Sequence, residues 1–162
     1  MELQFYGPND LHLTEALESD PNVMRDLGGP TPNEKIAKHH ARRLDSVLNH
    51  GCWYFTIIPE PNSEAIGTIG IWESEWEGAK IHEMGWMILP DFQGRGFASK
   101  AGKLLLEKVR TEQKFSNIHA FPAAQNAASN AICNKLGFTL IGEVSIAYNG
   151  PPQKSNHWIW NR

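Results

Sequence analysis

Apolar positions alternate with polar ones at the start of the chain, recur at helical spacing in its longer stretches, and gather in short β-branched or aromatic runs elsewhere. Glu2 to Tyr6 reads as a short strand, and Pro8 to Ser19 as a helix whose Leu11, Leu13, Ala16 and Leu17 form a rough apolar face. A turn at Asp20-Pro21-Asn22 follows. Thr31 and Glu34 have capping-box spacing with Pro32 at the first helical position, so a long helix is expected from Pro32 to about Asn49, stopping at Gly51. Cys52 to Ile58 and Ala65 to Trp72 predict a hairpin around the turn Pro59-Glu60-Pro61-Asn62-Ser63. Ile81 to Leu89 is the next strand, Phe97 to Gln113 a helix, Asn117 to Phe121 a strand and Asn126 to Leu136 a helix. Phe138 to Val144 and Asn156 to Trp160 are expected to close the sheet.

Strands come first and strand-helix-strand-helix-strand follows, which predicts an antiparallel meander running into a right-handed parallel crossover. No internal repeat and no Pro-, Gly- or Ser-rich linker divides the 162 residues, so a single domain over residues 1–162 is expected. A formal net charge of −3 without a long basic run argues against a partner held through nucleic-acid phosphates. Two cysteines without a spacing motif suggest a reducing compartment, and no signal peptide or membrane-length apolar run is visible. The expectation is a cytoplasmic protein with no membrane association and no metal, a monomer or a homodimer.

The most informative stretch is Pro90-Asp91-Phe92-Gln93-Gly94-Arg95-Gly96-Phe97-Ala98-Ser99, which joins the apolar run Gly85 to Leu89 to a helix-forming run. A glycine-rich turn between strand and helix lets backbone N–H groups and the positive end of the helix dipole approach a phosphate. It is not a P-loop, because Gly96 and Gly102 are one residue too far apart and Lys103 is followed by Leu104. It is not a dinucleotide fingerprint either, since Ser99 stands where the third small residue belongs and the turn lies mid-chain.

A second motif narrows the ligand: Asn126-Ala127-Ala128-Ser129 opens a helix that ends Lys135-Leu136-Gly137-Phe138. With Gln93-x-x-Gly96-x-Ala98 before it, the chain resembles the GNAT acetyltransferase superfamily over roughly Ala65 to Ile141. It is most similar to the branch of ribosomal-protein N-terminal acetyltransferases, where a strand like Glu83-Met84-Gly85-Trp86 leads into P-x-x-x-G-R-G-[YF]-A. The resemblance implies a mixed α/β fold: a mostly antiparallel sheet of about six to seven strands with about four helices, opened by a V-shaped cleft. It also implies acetyl-CoA as donor and an amine as acceptor. Pantetheine would pair with the backbone of Trp86, Met87 and Ile88, and the pyrophosphate would meet the N–H groups of Gly94, Arg95, Gly96, Phe97, Ala98 and Ser99. Gln93 belongs to the signature, Asn126 and Ser129 would hold the cofactor's amides, and Arg95 and Lys100 either pair with phosphate or are solvated cations.

Acetyl transfer to an amine requires a neutral nitrogen, stabilisation of the thioester oxyanion and a proton for the departing thiolate. The family's oxyanion donor is a backbone N–H, here near Met87 or Ile88. Glu83 is the leading base; strand alternation puts Glu83, Gly85 and Met87 on one face and His82, Met84 and Trp86 on the other. His82 and water are the rivals, and a purely structural Glu83 is the alternative. One familiar GNAT pattern has Tyr as acid seven residues after the Asn, where this chain has Cys133; Ser129 is the other candidate, and a helix-capping role for Asn126 and Ser129 is the alternative. Phe121 stands where some amino-terminal acetyltransferases carry a glutamate base.

An α-amine with a pKa near 7.8 is about a tenth to a fifth neutral at pH 7, whereas a lysine amine is neutral in less than about one molecule in a thousand. A site without an unmistakable strong base therefore suits an α-amine, on a protein amino terminus or a small molecule, with an antibiotic or other small amine as alternative. A non-catalytic acyl-CoA sensor or interaction module is the reading from another class. Specificity is assigned to Met24–Pro30, where Gly28-Gly29-Pro30 reads as a mobile overhang, to the following helix, and to Tyr148-Asn149-Gly150-Pro151-Pro152. Trp158 and Trp160 alternate on one strand face and are expected in the core, with His157 facing away.

Overall fold

The β-branched and aromatic runs become strands because their alternation lets one face pack on helices while the other faces a second layer. In a computed structural model, which describes residues 1–162, these are β1 (Glu2–Phe5), β2 (Trp53–Ile58), β3 (Gly67–Trp76), β4 (Ala79–Ile88), β5 (Asn117–Ala120), β6 (Thr139–Ile146) and β7 (Gln153–Asn161). They form one sheet in the order β1-β2-β3-β4-β5-β7-β6, antiparallel everywhere except between β4 and β5. The helices are α1 (Leu11–Glu18), α2 (Pro21–Met24), α3 (Asn33–Asn49), α4 (Phe97–Glu112) and α5 (Ala127–Lys135).

One face of the sheet, with Phe55, Ile71, Met84 and Ile118, packs on α4 and α5 in a cluster of 21 buried residues. Trp158 and Trp160 belong to that cluster, as their alternation predicts. Leu105 of α4 is fully buried there, and truncating such a leucine costs about 2–5 kcal/mol. Gly102 lets the two helices meet, since a Cβ on it would fall 2.5 Å from Leu136 Cδ1. The opposite face is covered by α1 and α3, which are tied together by the buried Glu18 carboxylate: it receives His39 Nδ1 at 2.6 Å and the Arg43 guanidinium.

Several local expectations are corrected. The Thr31–Glu34 capping box does not form: α3 starts at Asn33 behind Pro32, without a side-chain cap. Thr31 is buried, donates its N–H to Glu18 O at 2.8 Å, and accepts at Oγ1 from Asn149 Nδ2 at 3.2 Å. A tertiary partner has thus taken the cap hydroxyl. The turn at Asp20 is a short helix, with Asp20 Oδ1 accepting from the N–H groups of Asn22 and Val23. β3 runs on to Trp76 and β4 begins at Ala79, joined through Glu77 and Gly78 at positive φ, 50° and 76°. That geometry matches a tight hairpin turn, which the polar Glu73–Gly78 stretch conceals.

Both cysteines are free and buried; Cys52 precedes β2 rather than lying in it. No helix is long and apolar enough to cross a membrane.

Candidate active site

The parallel pairing of β4 with β5 lasts only from His82–Ile118 to Glu83–His119; beyond it the strands part. The gap is a cavity of about 1470 Å³ lined by Met84 to Ile88 on one side, Ala120 to Ala123 on the other, and the starts of α4 and α5. Leu89 N–H bonds to Ile66 O at 2.9 Å, so strand alternation turns the backbone of Met87 toward β3 and that of Trp86 and Ile88 toward the cleft. Of the two oxyanion donors expected from sequence, only Ile88 has its N–H on the cleft side. Its carbonyl is occupied by Gln93 Nε2 at 2.9 Å, so the Gln93 side chain straps the strand end to the turn. Met87 instead offers the cleft its side chain, on the Glu83 face.

The turn after β4 has the geometry of an anion cradle. Gly94 and Gly96 have φ of 71° and 79°, and a Cβ on either would meet nothing within 4 Å. The chain itself therefore leaves the space above them empty. No N–H group from Gly94 to Ser99 has an acceptor in the chain, and Gly96, at the N-cap of α4, supplies no side-chain cap. These donors and the helix dipole fit a pyrophosphate. The Arg95 guanidinium lies 5.6 Å from the Phe92 ring centre and 5.4 Å from that of Phe97, which carries it beside the turn. Across the cleft, Asn126 caps α5, its Oδ1 accepting from Ser129 N–H at 3.0 Å. Both residues line the cavity, so capping and ligand contact are compatible.

The other half of the cavity is a candidate acceptor chamber. Tyr54 and Trp72 stack with centroids 5.3 Å apart and planes 9° from parallel, a platform over the sheet. Two strand glycines make room for it: a Cβ on Gly85 would lie 2.7 Å from Trp72 Cη2, and one on Gly70 2.8 Å from Tyr54 Cδ1. Trp72 is opposite Glu83 in register. Burial pushes the Tyr54 phenol up to about 12, against the opposing pull of Arg43 and Arg42.

Glu83 is 8% exposed, and its Oε1 accepts from Tyr148 Oη at 2.9 Å. Burial raises its carboxyl above the usual range, although hydrogen bonds from Tyr148 and Ser74 pull the other way. The Tyr148 phenol is driven well up by burial and by the adjacent Glu83 carboxylate. Four carboxylates line the cleft. Glu18 meets Arg43, Asp26 meets Arg25 at 3.6 Å, and Glu73 meets Lys80 at 3.0 Å. Glu83 alone has no cation partner.

The rival groups lie elsewhere. His82 is on the opposite face, its ring 4.8 Å edge-on to Phe115, and burial lowers its pKa. Cys133 is fully buried in the core cluster, and burial pushes its thiol to about 12. Neither lines the cavity, whereas Ser129 does. Phe121 fills its position with an aromatic ring stacked 4.7 Å from His157, which in turn meets His119 Nδ1 at 2.8 Å. The Gly28-Gly29-Pro30 turn, expected to be mobile, is pinned together with the rest of Met24–Pro30: a Cβ on Gly28 would fall 2.6 Å from Gly150 N, and Gln153 Nε2 bonds to Asp26 O. It and the Tyr148–Gly150 loop therefore form one roof.

A cleft between splayed parallel strands, with a free-amide cradle at one end, meets its match in known proteins: the acetyltransferase (GNAT) domain profile fits residues 2–139. The chain belongs to the GNAT acetyltransferase family. It is 28% identical to YnaD of Bacillus subtilis (strain 168), described as an uncharacterized N-acetyltransferase, over 119 residues, 74% of this chain and 67% of that one. In fold this GNAT chain is similar to spermidine N-acetyltransferase from Vibrio cholerae, solved with CoA and spermine: TM-score 0.80 at 18% identity, over 99% of this chain and 94% of that one. It is also similar to ribosomal-protein-S5-alanine acetyltransferase from Vibrio fischeri, with TM-score 0.75 at 17% identity over 98% and 91% of the two chains. The protein is thus a GNAT N-acetyltransferase, and acetyl-CoA is its acetyl donor.

Sequence reasoning missed Tyr148 as the partner of Glu83 and the Tyr54–Trp72 platform. Gly70 and Gly85 are the available signal, because glycine inside a strand marks a close approach.

Proposed function

We propose that this acetyltransferase acts on an α-amino group, of a protein amino terminus or a small molecule, by direct attack on the thioester. The observation that carries the reading is Glu83: the one cleft carboxylate without a cation, its basicity raised by burial and its orientation held by Tyr148. A carboxylate of modest strength suffices for an amine that is already partly neutral near pH 7, and falls short for a lysine side chain. Glu83 takes the amine proton at its carboxylate, whose orientation Tyr148 fixes through Oε1. The Ile88 N–H faces the position where negative charge develops, and the Ser129 hydroxyl, on the cleft side of α5, delivers a proton toward the leaving sulfur. Bound acetyl-CoA supplies the activated acyl group; the amides of Gly94 to Ser99 hold its pyrophosphate, with Arg95 and Lys100 beside them, and the cleft-facing edge of Trp86 to Ile88 and Asn126 hold its amide-bearing arm.

The test is incubation of the protein with acetyl-CoA and separate pools of amino-terminal peptides, lysine peptides with blocked amino termini, amino acids and amine antibiotics, reading thiol release and product mass. Acetylation in the α-amine pools is expected. Turnover confined to lysine side chains would sink the proposal, and acetyl-CoA binding without turnover in any pool would favour a sensor.

A further inference from the structure

We propose that the acceptor carries a carboxylate as well as its amine: the amine lies at Glu83, the carboxylate meets Lys35 and Arg42 of α3, and polyamines are rejected. This rests on the α-amine reading and narrows it. The cleft-facing side of α3 presents Lys35, His39, Arg42, Arg43 and Ser46, with His50 just past its end, at helical spacing and with no acid among them. His39 and Arg43 are engaged with Glu18. Lys35 and Arg42 are exposed and pair with no carboxylate, while the remaining acids of the chamber, Asp26 and Glu73, already have their own cations. The unbalanced charges of the chamber are therefore two cations on the helix and one carboxylate on the sheet.

The stacked pair measures the span between them. Trp72 is opposite Glu83 in register, Tyr54 lies flat against it, and the Arg43 guanidinium of α3 lies 5.7 Å from the Tyr54 ring centre. A molecule lying on the platform with its amine at Glu83 thus extends toward α3. A polyamine in the same place would bring further cations against Lys35 and Arg42 and find no free carboxylate but Glu83. Selection by complementary charge and exclusion by like charge then act together.

Two sources supply such a carboxylate: the free α-carboxylate of an amino acid, or an acidic side chain at the second or third position of a polypeptide. The experiment compares acetyl transfer to acceptors that differ in that charge, alanine against alaninamide and Ala-Asp-amide against Ala-Asn-amide, with spermidine alongside, each rate referred to the neutral-amine fraction because the free carboxylate makes the amine of alanine more basic. The acid of at least one pair is expected to exceed its amide by about tenfold in kcat/KM, the size of two partly solvated ion pairs, mostly through KM and diminishing with salt. Which pair shows it names the source. Arg42→Glu combined with Lys35→Glu, both on the exposed side of α3, should reverse the preference while circular dichroism stays unchanged. Equal rates for acid and amide in both pairs, or a charge-reversed variant with the parent's preference, would overturn this inference and leave the α-amine reading standing, whereas spermidine as the best acceptor would remove both. Failure of every α-amine to be acetylated would remove both.

Discussion

Substituting Gly85 by alanine tests whether the aromatic platform belongs to the acceptor chamber. The added methyl would lie 2.7 Å from Trp72 Cη2, with Trp72 Cζ3 at 3.5 Å. The indole must retreat by about 0.8–1.3 Å to regain a normal carbon–carbon separation. It can do so, because Trp72 is only half-buried, but it leaves its 5.3 Å stack on Tyr54. Such a pair contributes about 0.5–1.5 kcal/mol beyond its buried area. Replacing glycine by alanine in an element interior returns about 0.5–1 kcal/mol, so net stability should change by less than about 1 kcal/mol, and Tm by less than about 4 °C. The displaced platform should instead raise the acceptor KM by about two- to twelvefold. Acetyl-CoA affinity, read by calorimetry, should stay the same. Gly70→Ala is the control: its Cβ would meet the Trp53 carbonyl oxygen at 2.7 Å, a backbone atom of the paired strand that cannot swing aside, so about 1–3 kcal/mol of stability should be lost. An unchanged acceptor KM in Gly85→Ala, with Trp72 displaced by the same substitution, would show that the platform does not hold the acceptor.

Three further outcomes follow from the site. Gly96→Trp, at φ 79° with nothing of the chain within reach of its Cβ, should cost about 1–2 kcal/mol in backbone strain yet abolish acetyl-CoA binding in calorimetry; retained binding would move the cofactor away from the cradle. Glu83→Gln should lower kcat/KM by about 10²–10⁴-fold. Because burial raises the Glu83 carboxyl in the fold, its stabilising contribution is full below the ordinary carboxylate range and is lost as pH rises through the raised value. The glutamine variant should therefore melt above the parent at neutral pH and match it in acid, and a gap of the opposite sign would refute the assignment. Glu18→Ala leaves Arg43 buried without its partner and should cost about 3–5 kcal/mol, or about 6–20 °C in Tm. Burial alone would raise Glu18, but Arg43 and His39 override it and hold its pKa low. The parent's advantage should then shrink as pH falls through that lowered value, and a gap independent of pH would exclude the ion pair as its source.

The cofactor half of the site was legible in the sequence because its parts are contiguous. Glu83 to Ser99 supplies strand, cradle and helix start in one run, and Asn126 to Gly137 supplies the facing helix, so local propensity and glycine placement point to the same arrangement. The acceptor half is assembled from Tyr54, Trp72, Glu83, Tyr148 and α3, far apart in the chain, and no local pattern joins them. Alternation separates His82 from Glu83, but only the placement of α1 and α3 on one face and α4 on the other decides which of the two looks into the chamber. The Thr31 cap misled for a related reason: its hydroxyl has the right spacing for Glu34, yet Asn149, 118 positions away, takes it. Ends of strands were misplaced where charge alternates with aromatic residues, as at Glu73 to Trp76, because a ribbon reaching past its neighbours keeps both faces partly wet.

In the proposed reading of Glu83 as the base, the roof explains how that carboxylate can be both oriented and available. Tyr148 lies in the loop between β6 and β7, and that loop is fixed by its close approach at Gly28 and Gly150 and by Asn149 on Thr31. The segment before α3 thus holds Tyr148 over Glu83. A carboxylate buried without a donor would favour its protonated form strongly enough to lose its function as a base; one paired with a cation would lose its basicity. Tyr148 stands between these extremes: its neutral hydroxyl orients Oε1 and, with Ser74, offsets part of the burial penalty without supplying a charge. The acceptor chamber therefore depends on two segments outside the cofactor signature, and changes in either can alter the acceptor while the cradle at Gly94 and Gly96 remains the same.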